Sequence, residues 1–249
     1  VRSNLLGIEG WVFDTDELKR LAAASTVFAA RVDKETGTDL KALDLRKPEN
    51  VRKIHSILSD LYRIDKRYQD KRIKALATTD RDRLPNLIFD TTGKSIKKFN
   101  DVKTLADQFG YDSKNVHVVW VLDDVKAAIV KNENRDRIIP YDILLQTHEG
   151  AALTAKKMLN MGEDIRQYMD GDYWIVFNKI NVDSKLVKSN LPVPETNAAG
   201  FSKKNGGFYI KEANYFKIKS TGQPPISPDQ LEDVIYQKIK SYVPEIATW

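Results

Sequence analysis

Three short apolar runs in this chain end in aspartate, and each is followed at once by a helix-period pattern. Trp11-Val12-Phe13 stops at Asp14 and leads into Leu18, Leu21, Ala22 and Phe28. Leu87-Ile88-Phe89 stops at Asp90; after the polar turn Thr91-Thr92-Gly93-Lys94 come Ile96, Phe99, Val102, Leu105, Ala106 and Phe109, at helical spacing. Val116 to Leu122 stops at Asp123-Asp124, and a helix is expected from Val125. The third run is near-continuously apolar and β-branched, as strands buried on both faces are. Strands alternating with helices at this spacing predict a parallel sheet of βαβ units. Open sheets of this kind place their ligands at the carboxyl ends of the strands. The three aspartate-tipped ends are therefore expected along one edge, facing one cleft.

The remaining segments fill in around that pattern. Residues 33 to 47 are polar and read as a loop. Pro48 is well placed to open a long charged helix to about Ala77, with a narrow apolar stripe of Val51, Ile54, Ile57, Leu58 and Leu61. Its basic run, Arg63, Lys66, Arg67, Lys71, Arg72 and Lys74, reads as a solvated face. Gly110 is a helix stop. A helix from Tyr141 to about Met161 and a strand at Tyr173 to Phe177 follow. The texture changes after residue 180: Lys179 to Ser220 holds eight lysines and three acidic residues. There Phe208-Tyr209-Ile210 and Tyr215 to Ile218 read as a small antiparallel pair. Ser227-Pro228-Asp229 opens a last helix with Leu231, Val234, Ile235, Ile239 and Tyr242 on one face. The expected organisation is a core over 1–180 and a basic extension of β-hairpin and C-terminal helix over 181–249.

Composition narrows the chemistry. The 249 residues contain no cysteine, which removes disulfides, thiolate catalysis and cysteine–zinc sites. Lys and Arg number 40 against 35 acidic residues, a mildly basic balance that suits phosphate-bearing ligands. No apolar run reaches the about 20 residues of a membrane helix, and no signal peptide is visible, so a cytoplasmic location without membrane contact is expected. The three histidines are scattered, His117 reads as a sheet residue, and no Gly-x-Ser-x-Gly elbow is present.

What remains is a set of carboxylates and a set of arginines. Asp14-x-Asp16, Asp90 and Asp123-Asp124 could hold magnesium through water or accept a proton from a hydroxyl; each could equally cap the helix after it. Asp123 and Asp124 read as caps. Arg135-Asp136-Arg137 lies in a polar loop between helices, and arginines there can close over a transferring phosphoryl group. Gly93-Lys94-Ser95 looks like the end of a phosphate-binding P-loop, but that loop also needs a glycine where Ile88 stands.

Taken together, these residues resemble the P-loop kinases of the zeta-toxin type, and more closely the small kinase-like proteins of large tailed bacteriophages. Trp11 to Asp16 is similar to that family's second strand, Asn86 to Lys94 to its third, and Gly110-Tyr111, the strand to Leu122 and Asn134 to Pro140 to its helix end, fourth strand and arginine-bearing lid. The likeness spans about residues 1 to 178. It implies a three-layer P-loop NTPase-like parallel sheet with helices on both faces, plus the C-terminal α+β extension. It implies transfer of the γ-phosphoryl group of ATP or GTP, with magnesium, to a hydroxyl acceptor. Asp14 or Asp16 would position or deprotonate the acceptor, and Arg135 and Arg137 would close on the phosphates. Asp90, Thr91, Thr92 and Lys94 would meet the acceptor, with Asp90 also toward magnesium. A phage protein would act in the host cytoplasm.

The family's phosphate loop and first, central strand are not among these residues. Val1 to Gly7 reads as the tail of a helix capped by Gly7. A preceding segment with the Gly-x-x-x-x-Gly-Lys-Ser/Thr pattern is therefore expected, since a sheet without its middle strand has unpaired backbone. The alternative is a non-catalytic, kinase-like interaction module. In it the basic 179–220 segment, with Phe201, Phe208, Tyr209, Tyr215 and Phe216 interleaved, would bind nucleic acid or a protein. A polynucleotide kinase would join both ideas, with basic residues 63–74 guiding a strand toward Asp14.

Overall fold

A computed structural model describes residues 10–188 and 208–249. The architecture is mixed α/β, and the chain divides into two compact units. Of the described residues, unit 1 comprises 10–90, 132–140, 186–188 and 208–210; unit 2 comprises 91–131, 141–185 and 211–249. The expected helix tail at Val1–Gly7 and the aromatic Phe201 lie outside the described residues. Among the described residues, no helix is long and apolar enough to cross a membrane.

Unit 1 opens with β1 (Trp11–Asp14), followed without a linker by α1 (Thr15–Ala24). The single helix expected through Phe28 is broken at Ser25, whose hydroxyl accepts from the Phe28 N–H at 3.3 Å and starts α2 (Thr26–Thr36). That helix reaches into the stretch read as loop. The long helix expected over 48–77 is also two: α3 (Pro48–His55) continues through a π-helical turn at Ser56–Leu61, and α4 (Ile64–Ala77) restarts beyond Arg63. Arg63 sits at φ 51°, and a left-handed residue cannot continue a right-handed helix. The reason for the break is tertiary: Ile57, Leu58 and Tyr62 turn inward to join Ala29, Val32, Leu40 and Ile54 in the core of this unit. Strand β2 (Leu87–Asp90) lies parallel to β1, and Trp11 pairs Leu87 through to Asp14 opposite Asp90.

Unit 2 begins with the turn after Asp90 and α5 (Ile96–Phe109). Ser95 caps its start, accepting from Lys97 N–H at 3.3 Å, and Gly110 ends it at φ 79°, a conformation open to glycine and costly for other residues. Next come β3 (Val118–Asp123), α6 (Val125–Glu133), α7 (Tyr141–Leu159) and β4 (Tyr173–Asn178). The last elements are β5 (Ser184–Lys188), β6 (Phe208–Lys219) and α8 (Asp233–Tyr242).

The strands do not form one all-parallel sheet. β1 and β2 make a two-stranded parallel sheet, while the second sheet has the order β3-β4-β6-β5. β3 and β4 are parallel as expected, but β6 runs antiparallel to β4. The two apolar runs read as a hairpin at 208–218 are one continuous strand. Their alternation is the same for a hairpin and for a longer strand, and a place beside β4 decides between them. β6 and α8 are built into the core of unit 2, where Ile218, Ile239, Tyr242 and Trp249 pack with Leu122, Ile175 and Phe177. The last helix starts at Asp233, later than expected, because the Ser227 capping box closes only a short 3-10 turn.

Candidate functional site

The carboxyl end of the β1–β2 pair brings two of the expected residues together. Asp14 and Asp90 are register partners on neighbouring parallel strands, which lie about 4.8 Å apart. One residue earlier, Phe13 and Phe89 stack with ring centroids 4.7 Å apart, and Phe13 is buried. Side chains alternate along a strand, so the phenylalanine pair anchors one face while the aspartates project on the other. α1 starts at Thr15, so Asp16 falls in its first turn, where the helix dipole favours a negative charge.

Arg137 reaches the same place from 132–140. Its Nη2 lies 3.7 Å from Asp16 Oδ1. The pair is partly exposed and contributes little energy, so its significance is positional. Among the described residues, the Arg137 Nε–H is buried without an acceptor. Buried donors in folded proteins are almost always paired, so an unpaired Nε–H beside Asp16 is an exception.

The arginine loop is held in shape from below. Asn132 is buried and makes two bonds to one residue: its Nδ2 donates to Ile139 O at 2.7 Å, and its Oδ1 accepts from Ile139 N–H at 2.9 Å. Ile138 N–H donates to Leu45 O at 2.9 Å, tying the loop to the segment before α3. Arg135, on the exposed side of the loop, has no side-chain partner among the described residues. Of the two expected arginines, only Arg137 is therefore brought to the carboxylates.

Behind Asp16 lies a second charged group. Lys19, on α1, approaches His55 Nδ1 at 3.4 Å and Asp65 at 3.9 Å, and its side chain is only 12% exposed. Burial, with Lys19 beside it, pushes the His55 pKa down against the opposing pull of Asp60, Asp65 and Asp16, so the imidazole is neutral near pH 7.

Thr91, Thr92 and Lys94 belong to unit 2 and are exposed. Their turn is seated on α7: a Cβ at Gly150 would stand 2.9 Å from Lys94 Cβ. The third aspartate-tipped strand end lies in the other sheet. Asp124 caps α6 as expected, accepting from Ala127 N–H at 2.8 Å, and pairs with Lys179 at 2.9 Å. Asp123 is not a cap; it pairs with Lys131 at 2.8 Å. His117, read as a sheet residue, stands exposed just before β3, where its Nδ1 accepts from Asp172 N–H at 2.9 Å.

Among the described residues no group of three or more His, Asp or Glu is placed to hold a metal. Asp14 and Asp90 are two adjacent hard oxygen donors. That fits magnesium, which protein sites commonly hold by one or two carboxylates with water and substrate phosphate completing the shell.

Sequence reasoning missed Asn132 and the Lys19–His55 contact. Neither carries a local signal, since their partners are seven and 36 residues away. The chain matches no protein-family model, no curated protein and no solved structure.

Proposed function

We propose that this chain carries the acceptor side and arginine lid of a nucleotide-dependent phosphotransferase with a P-loop kinase-like core. The observation that supports it is the in-register pair Asp14 and Asp90 at the carboxyl ends of two parallel strands, with Arg137 beside Asp16.

In this reading the acceptor hydroxyl lies against Asp14, with Asp16 as the neighbouring carboxylate. Its oxygen forms a bond to the γ-phosphorus of ATP or GTP as the bond from that phosphorus to the β,γ-bridging oxygen breaks. The hydroxyl proton passes to Asp14, and the nucleoside diphosphate leaves. Arg137 turns its unpaired Nε–H to the equatorial oxygens, and Arg135 closes from the loop's exposed side. Magnesium, when bound through water at Asp90, would neutralise phosphate charge. The chain's contribution is positioning and charge stabilisation. The phosphate contacts of the donor are assigned to no residue here, because no Gly-x-x-x-x-Gly-Lys-Ser/Thr stretch occurs in the 249 residues.

The test is ATP binding and Mg-dependent turnover by the product of the intact gene, beside its Arg137→Ala and Asp14→Asn variants. Arg137→Ala should lower turnover about a hundredfold or more while changing KM little. Absence of nucleotide binding, or turnover indifferent to both substitutions, would overturn the reading.

A further inference from the structure

A groove of about 460 Å³ follows the edge of β1 turned away from β2, between α1 and α4. Asp14, Trp11, Leu18, Leu21, Tyr68 and Arg72 line it. All of them belong to unit 1. Its size suits a ligand of mononucleotide dimensions.

Arg72 is held in an unusual way. Its Nε–H donates to Tyr68 Oη at 3.0 Å, and its guanidinium carbon lies 5.0 Å from the Trp11 ring centroid and 5.2 Å from that of Tyr68. The Tyr68 hydroxyl in turn donates to Val12 O at 3.2 Å, on the open edge of β1. The guanidinium is thus fixed by two aromatic rings and one hydrogen bond. Among the described residues, its two Nη groups meet no acceptor and no carboxylate. A planar cation immobilised in this way, with its outer donors free, matches the two-oxygen edge of a phosphate. Surface ion pairing does not explain it, because no acidic partner is present among the described residues.

The groove is also polarised. Trp11 and Asp14 stand about 10 Å apart along the strand and on its opposite faces, so the groove reaches Asp14 around the open edge of β1. Arg72 lies over Trp11, so the cation and the carboxylate are separated, with Leu18 and Leu21 giving apolar surface on the α1 side. An anionic group is drawn to Arg72 and repelled by Asp14, whereas a hydroxyl is accepted by Asp14.

We infer that this groove binds a nucleotidyl group, its phosphate on Arg72, its base against Leu18 and Leu21 beside the Trp11 ring, and its sugar hydroxyl toward Asp14. The proposal deepens the phosphotransferase reading by naming the acceptor class. It rests on that reading only for the role of Asp14.

The experiment is a tryptophan-fluorescence titration without ATP. The probes are adenosine 5′-monophosphate, a 5′-phosphorylated eight-nucleotide thymidine strand, and ribose 5-phosphate as a base-free control. The two nucleotide probes should quench saturably, and ribose 5-phosphate should bind at least tenfold more weakly. Affinity should fall as salt rises. Tighter binding of the strand than of the mononucleotide would identify a nucleic-acid end as the source; equal binding would identify a free nucleotide. Arg72→Met should weaken binding at least tenfold, and Arg72→Lys, which keeps the charge but loses the planar fork, several-fold. Should Arg72→Met fail to fold, Arg72→Lys and Trp11→Phe carry the comparison. No saturable quenching at millimolar probe, or affinity unchanged in the folded Arg72 variants, would overturn the inference. Nucleotide binding without any phosphoryl transfer would sink the catalytic reading and leave this one. Transfer to a simple alcohol by a protein that binds none of the three probes would do the reverse.

Discussion

Replacing Asn132 by alanine tests whether the arginine loop is held by its base. The side chain makes two hydrogen bonds, of 2.7 and 2.9 Å, to the carbonyl and amide of Ile139, and the asparagine itself is buried. Alanine leaves both backbone groups without a protein partner. Each such group costs about 1–3 kcal/mol, and because Ile139 is only half-buried the lower part of that range applies, about 2–4 kcal/mol in all. A local opening free energy lowered by about 3 kcal/mol speeds amide exchange on the order of a hundredfold. Native-state hydrogen exchange at Ile138 and Ile139 is the assay, with amides of α7 as internal reference. Asn132→Asp keeps the acceptor for Ile139 N–H but sets a buried carboxylate oxygen against Ile139 O, so at neutral pH it should speed exchange at least as much as Asn132→Ala. Unchanged exchange at Ile138 and Ile139 in Asn132→Ala would refute the reasoning, whatever happened to global stability.

Three further outcomes are expected. Desolvation works to raise the pKa of buried Asp183, but hydrogen bonds from Lys238, Tyr242 and Asn214 outweigh it and hold the carboxyl below its ordinary value. Its contribution to stability is therefore present above the unfolded carboxylate pKa and lost as pH falls through the lower folded value. Urea denaturation from pH 7 down to 2 should show this loss, and Asp183→Asn should flatten it; an unaltered acid slope would count against the network. Gly150→Ala places a Cβ 2.9 Å from Lys94 Cβ and 3.0 Å from Lys94 O, so it should destabilise by about 1–3 kcal/mol and shift the amide resonances of Thr91 to Ser95. A neutral melting curve with unmoved resonances would show that the turn is not seated on α7. Lys219, fully buried, donates to Asp170 O and Gly171 O at 3.0 Å each and to Ser220 O at 3.2 Å. Lys219→Met should cost about 3 kcal/mol despite its similar volume, read from the denaturation midpoint. A gain in stability would mean that desolvation of the ammonium outweighs its bonds.

The candidate site was half legible in the chain. An apolar run stopped by aspartate and followed by helical spacing reports a strand end, because both periodicities are local. Asp14, Asp90 and the start of α5 were readable for that reason. Asp16 and Arg137 can be named from their local pattern and the resemblance, but their contact is not legible, because it spans 121 positions and no spacing rule reaches that far. Arg72 read as part of a solvated face, since nothing in the run 63–74 distinguishes it from Arg67 or Lys71. Its two rings come from Tyr68, one helical turn away, and from Trp11 on a different element.

The sequence by itself determined where most strands and helices lie, because side-chain alternation, caps such as Ser95 and stops such as Gly110 act within a few residues. Only the tertiary structure decided the break at Arg63, the single strand at 208–219 and its antiparallel place beside β4, and the division of the strands between two sheets. A helix bends, and a strand chooses its neighbour, according to which apolar faces are buried together. That choice is made by residues far apart in the chain, and it is also what sets Asp14 beside Asp90 and fixes Arg72 between its rings.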